Sequence, residues 1–197
     1  MSVYLMFLQH ILYSLKDSGK AAIVVPTGFL TAKSGIEKKI RQQMIDKHML
    51  RGVISMPSNI FATTGTNVSI IFIDSDNSDD KALLMDASKL GIKIKEDGKN
   101  QKTVLSHTEV EDIITTFNTR QEIDNLSTLV SYTELENKNY SFSAGQYYHV
   151  KVEYADITKD EFNTKMLQFK NDLRELFDMG KDIEKEILIQ MERINYE

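Results

Sequence analysis

Residue types that usually carry chemistry are sparse in this chain, and their spacing rarely suits them to it. His10, His48, His107 and His149 are scattered singly, without the short intervals that let imidazoles share a metal ion. Cysteine is absent, which removes thiolate nucleophiles, disulfides and thiolate metal sites. Asp74, Asp76, Asp79 and Asp80 crowd into DSDNSDD, but they lack the register and distal glutamate of a calcium loop. They read as a solvated turn whose side chains bond their own backbone. No Walker loop, G-x-G-x-x-G or H-E-x-x-H occurs. Two features remain. Pro26 and Thr27 close an apolar run, and ligand sites of open α/β sheets lie at such strand ends, although a simple turn is the alternative. Further on, KLGIKIKEDGKNQK reads as an exposed linker or ribbon, or as a local patch for phosphates.

The elements that must position these residues centre on Lys20 to Asp74. Ala21 to Val25 are apolar without alternation, which predicts a strand covered on both faces. Ser34-Gly-Ile-Glu37 has capping-box spacing, and Ile36, Ile40, Met44 and Ile45 follow at helical intervals. Arg51 to Met56 and Asn67 to Asp74 read as a hairpin-like strand pair around an irregular loop, Pro57 to Thr66. The first strand, the helix and the second strand predict a βαβ unit within an α/β sheet. An amphipathic helix over residues 2–16 precedes it, with Leu8, Ile11, Leu12 and Leu15 on one face. Lys81 to Ala87 adds a short strand. Thr108-Glu-Val-Glu111 is a second capping-box pattern, opening a helix with Val110, Ile113, Ile114 and Phe117 inward. A strand at Ser127 to Tyr132 and a turn at Thr133 to Glu136 follow, and the aromatic run Asn139 to Tyr148 reads as docked onto the domain.

Thr158-Lys-Asp-Glu161 is the third such pattern. After it Phe162, Met166, Phe169, Leu173, Leu176, Ile183 and Ile187 alternate in steps of four and three, with Gly180 where one seam residue belongs. Extended to Ile194, this helix would be about 55 Å long, and such a seam requires a partner helix. Gly180 costs about 1 kcal/mol relative to alanine and could mark a kink or a close approach. Lys159, Lys165, Lys170 and Lys181 read as solvated. Composition is ordinary, with 41% hydrophobic and 27% charged residues, and the net charge of −5 excludes a globally basic nucleic-acid binder. Pro26 and polar residues interrupt the longest apolar run well short of the ~20 residues of a membrane span. The absence of cysteine fits a cytoplasmic location.

The stretches SLKDSGKAAIVVPTGFL and GIEKKIRQQMIDKHMLRGVISMPSNIFATTGTNVSIIFID resemble the modification (M) subunits of type I restriction-modification systems. These are N6-adenine DNA methyltransferases. The ordered features are a strand ending in Pro26, a helix from Ser34, a strand at Ile54 to Met56, the P-x-x-x-F loop Pro57 to Phe61, and a strand opened by Thr66-Asn67. MDASKLG, TEVEDIITTF, VSYTELENKNYSFSAGQYY and the long terminal helix follow the same order. The resemblance implies an α/β fold, a partial Rossmann-like methyltransferase sheet with the later strands only, followed by a long C-terminal coiled-coil-type helix. Residues 1–87 would be the C-terminal half of the catalytic domain, 88–157 a family-specific extension, and 158–197 an association helix.

The family uses S-adenosylmethionine, bound at a glycine-containing loop, and an N/D-P-P-F/Y loop that receives a flipped-out adenine. Neither loop occurs among these residues, and Met1 would fall just past the catalytic loop. The resemblance therefore implies a part that is inactive alone and does not hold the cofactor by itself. It places Asn59, Phe61, Thr66 and Asn67 on the flank of the target-base pocket. Phe61 could stack on a base and Asn59 and Asn67 could hydrogen-bond beside it; alternatively Phe61 plugs the core and Asn67 merely opens a strand. Pro26 and Thr27 form the strand-end pocket. The implied partners are DNA and a DNA-specificity subunit whose long helices receive the terminal helix. The alternative is a non-catalytic docking module that homodimerises through that helix.

Overall fold

A computed structural model describes residues 2–61, 66–96, 100–148 and 157–192. The described chain divides into two units, residues 1–149 and 150–197. In the first unit, α1 (Val3–Ser14) leads into β1 (Lys20–Pro26), a 3₁₀ turn (Thr27–Leu30) and α2 (Gly35–Asp46). The strands β2 (Leu50–Ser55), β3 (Val68–Asp74) and β4 (Lys81–Asp86) follow. A two-stranded ribbon, β5 (Ile92–Glu96) and β6 (Asn100–Val104), precedes α3 (His107–Thr119), β7 (Ser127–Ser131) and the short α4 (Tyr132–Asn137).

Five strands form one mixed sheet in the order β1-β3-β2-β4-β7. The predicted strand–helix–strand unit is present, but its two strands are not neighbours. β3 runs between them, antiparallel to both, pairing Lys20 with Asp74 through Pro26 with Val68 on one side and Ser55 with Ser69 on the other. β2 and β4 pair in parallel, whereas β7 runs antiparallel to β4. One face packs α1, α2 and α4 over a core that includes Leu8, Val25, Met44, Val53, Ile71 and Leu84. The opposite face packs α3 over Ile54, Leu83, Met85 and Ile113. Gly52 permits this second layer: a Cβ there would stand 2.8 Å from the Phe117 ring and 2.6 Å from the Leu83 carbonyl oxygen.

Several expectations are corrected. β1 is not covered on both faces, because Ala21, Ile23 and Val25 turn inward while Ala22 and Val24 stay exposed. α3 begins two residues early. Ser106 is its cap, accepting from the Glu109 N–H, while the Glu109 carboxylate accepts from the Ser106 N–H. Of the face assigned to α3, Ile113 is buried and Phe117 partly so, but Val110 and Ile114 face solvent. Ile36 is exposed as well, and Ser34 caps α2 without a side-chain hydrogen bond.

Arg41 occupies the place in α2 that the apolar pattern left unassigned. Its side chain is buried, 1% exposed, and it donates to three backbone carbonyls: Phe29, Ala32 and, at 2.6 Å, Tyr140. The rings of Phe29 and Phe142 flank the guanidinium at 5.6 and 5.9 Å. Burial pushes its pKa down to about 10, a shift that nearby Glu37 opposes. The aromatic run is docked as expected, with Phe142, Ala144 and Tyr147 buried.

The second unit contains α5 (Lys159–Glu192), whose 34 residues span about 50 Å. Thr158 and Glu161 close the predicted capping box: the Glu161 N–H donates to the threonine hydroxyl and its carboxylate accepts from the Thr158 N–H at 2.8 Å. The helix runs through Gly180 without interruption, and all its described residues are exposed. Ile194 lies outside the described residues. Among the described residues, no helix is long and apolar enough to cross a membrane.

Replacing Arg41 with methionine should destabilise the first unit by about 2–4 kcal/mol in urea titration, because three carbonyls lose their donor inside the protein. Lysine should not rescue it, since one ammonium cannot span the three directions a guanidinium fork serves. An unfolding midpoint unchanged in Arg41→Met would remove this residue from the account of the fold.

Candidate functional site

Three strand ends converge at one edge of the sheet: the carboxyl ends of β1 and β2 and the amino end of β3. They converge because β3 is reversed between two parallel strands. The Thr27 N–H donates to the Asn67 carbonyl at 2.9 Å, and the Met56 N–H donates to the Val68 carbonyl at 2.9 Å. Behind this backbone frame a hydroxyl ladder crosses the three strands. Thr27 Oγ1 and Ser69 Oγ share a hydrogen bond of 3.0 Å, and Ser69 Oγ donates to Ser55 Oγ at 3.4 Å. Ser69 is fully buried, so its hydroxyl requires these partners.

The loop after β2 leaves this edge through buried Pro57. Asn59 adopts a left-handed backbone, φ 55°, a conformation asparagine tolerates better than most residues. Its carbonyl accepts from the Thr103 N–H at 2.9 Å, and the Thr103 hydroxyl donates to the Ser58 carbonyl at 2.6 Å. Thr103 belongs to β6 and is 3% exposed. The base of the lysine-rich ribbon therefore pins the loop. Phe61 beyond it does not plug the core; it is 51% exposed. Thr66 and Asn67 are exposed at the start of β3, and residues 62–65 lie outside the described residues.

The sequence-predicted residues are thus brought together in two sets. Thr27 meets Asn67 directly with Pro26 beside it, while Asn59 and Phe61 ride on the loop that Thr103 holds. Thr103, Ser55 and Ser69 were missed. Their only sequence signal was a hydroxyl at the end of an apolar run, a position where a threonine or serine would ordinarily read as strand filler. The acidic turn is structural. Asp74 pairs with Lys20 at 3.1 Å, and Asp79 with both Arg51 and Arg120. Among the described residues no group of three or more histidine, cysteine, aspartate or glutamate side chains is placed to hold a metal ion.

The profile of the N-6 DNA methylase family matches residues 2–156. The chain belongs to this family. Among its family relatives is the MpnII methylase subunit of a type I restriction enzyme from Mycoplasma pneumoniae, 31% identical over 196 residues, 98% of this chain and 34% of that protein. The MjaIX methylase subunit of Methanocaldococcus jannaschii is 24% identical over 92% of this chain and 33% of its own length. The chain thus spans about a third of the length of these N-6 methylase relatives. A type I restriction-modification methyltransferase subunit from Streptococcus thermophilus superposes with a TM-score of 0.67 at 27% identity, over 74% of this chain and 30% of that one. The resemblance read from the ordered motifs, and the α/β fold with a partial mixed sheet and a long terminal helix, agree with these findings.

Thr103→Val keeps the shape of the side chain but deletes the hydroxyl that holds Ser58. It should lower stability by about 1 kcal/mol and speed hydrogen exchange at Ser58 to Phe61. Exchange unchanged in that loop would show that the ribbon does not hold it.

Proposed function

We propose that the chain acts as the C-terminal portion of a type I N6-adenine DNA methylase subunit, and that its sheet edge flanks the pocket receiving the target base. The observation that carries this reading is the half-exposed ring of Phe61 on a loop anchored beside the converging strand ends. Aromatic faces stack on unpaired bases irrespective of identity, and amides such as Asn59 and Asn67 can bond base edges. Thr66 stands next to Asn67, and Pro26 and Thr27 close the neighbouring strand end. DNA, a specificity subunit and S-adenosylmethionine are the proposed partners and cofactor of the complete enzyme, in the cytoplasm where its DNA resides. With a net charge of −5, the remaining subunits must supply most of the phosphate attraction.

S-adenosylmethionine has a poor fit to the described edge. The hydroxyls of Thr27, Ser69 and Ser55 are engaged with one another, and the Asp86 carboxylate at the end of β4 accepts from the Ser88 N–H at 3.0 Å. This supports a division of labour in which the cofactor-holding and catalytic loops come from elsewhere in the enzyme. α5 is the assembly element of this reading, since its seam requires helical partners.

In a reconstituted methylase, Phe61→Ala should lower kcat/KM for methyl transfer to DNA by about tenfold to a hundredfold, given the ~1–3 kcal/mol that base stacking contributes. Circular dichroism should stay unchanged. The 197-residue chain alone should give no calorimetric signal with micromolar S-adenosylmethionine. Wild-type turnover by the Phe61 variant would exclude the pocket assignment, and micromolar cofactor binding by the isolated chain would exclude the division of labour.

A further inference from the structure

The seam of α5 is flanked by charges whose order along the helix is not random. With Met166, Leu173, Gly180 and Ile187 at the a positions, Phe162, Phe169, Leu176 and Ile183 take the d positions. Lys165 and Lys170, which read as simply solvated, then border the seam in the first half of the helix. Glu184 and Glu186 border it in the second half. Between them Phe177 and Met179 widen the apolar face around Gly180, where an added Cβ would meet nothing within 4 Å. The helix therefore carries basic flanks at one end, acidic flanks at the other, and a notch off its centre.

We propose that this face binds the same face of a second copy of the chain, antiparallel, with Phe169 of each copy seated in the Gly180 notch of the other. This names the partner of the assembly helix and rests on the reading of α5 given above. Reversing one helix brings like-lettered flanks together, so Lys165 of each copy meets Glu186 of the other. In the same register Phe162 faces Ile187, Met166 faces Ile183, and Leu173 faces Leu176, each contact occurring twice by symmetry. No like charges meet. Sliding one heptad in one direction sets Asp172 against Glu186; sliding in the other sets Lys170 against Lys170 and Asp172 against Asp172. A parallel pair places Lys165 beside Lys170 and leaves glycine facing glycine, a void in the middle of the seam.

Sedimentation of the full 197-residue chain at micromolar concentration, alone and with a type I specificity subunit, tests this. Lys165→Glu should raise the dimer dissociation constant about tenfold, as two attractions become repulsions, and adding Glu186→Lys should restore it. Gly180→Leu should also weaken the dimer, because it crowds Phe169 even though leucine favours the helix. Tighter association in both single variants would overturn the antiparallel register in favour of a parallel one. A monomer that binds the specificity subunit would overturn self-pairing and leave the proposed function standing. A monomer that binds neither would end both.

Discussion

The buried guanidinium of Arg41 is the constraint on which the first unit depends. Removing an ionised group from water costs several kcal/mol, and only a full set of hydrogen bonds offsets it. Arg41 meets that condition with carbonyls from three separate places: the turn after β1, the approach to α2, and the aromatic run that follows α4. None of these segments has a regular ladder to hold it. Phe142 adds a backbone N–H to the Leu30 carbonyl at 3.0 Å, closing the same circle. The turn after β1 begins at Thr27, which is bonded to Asn67. The side chain that ties down the fold's irregular parts therefore also fixes one wall of the candidate site.

Sheet topology supplies the other wall. A strand reversed between two parallel neighbours must start where they end, so Asn67 cannot avoid the neighbourhood of Thr27 and Met56. The register between β1 and β3 runs unbroken from Lys20–Asp74 to Pro26–Val68, and a one-residue slip would turn Ser69 outward and Ile70 inward. The buried hydroxyl ladder resists such a slip, because Ser69 finds its two partners in only one register.

Much of this was legible from periodicity, and the failures have identifiable causes. The apolar runs located β1 to β4, and helical spacing located α1, α2, α3 and α5. Arg41 escaped notice because a charged residue is read as outward by default. Yet it precedes Met44 by three residues and Ile45 by four, so spacing alone put it on the buried arc. The α3 start was ambiguous in principle: SHTEVE contains two overlapping capping patterns, Ser106 with Glu109 and Thr108 with Glu111. The choice was tertiary, since the Glu109 carboxylate also accepts the Gly91 N–H at 2.8 Å from the ribbon. Its pKa is lowered by those backbone donors, first that of Ser106. For β1, an apolar run suggested two covered faces, but coverage is set by where α3 lies, and no pattern within the strand encodes that.

The second unit poses a different physical problem. A 34-residue helix with large apolar side chains half exposed along one face gains little from its own backbone, because isolated helices are marginal and Gly180 weakens this one. The outer face contributes local support around that weak point through the i,i+3 pairs Asp178–Lys181 and Asp182–Lys185, at 3.2 and 3.1 Å. Such exposed pairs contribute only a few tenths of a kcal/mol each. Burial of the seam, at roughly 25 cal/mol per Å² of apolar surface, is larger by an order of magnitude. The helix is therefore stabilised chiefly by what it binds, so its folding and its assembly are one equilibrium.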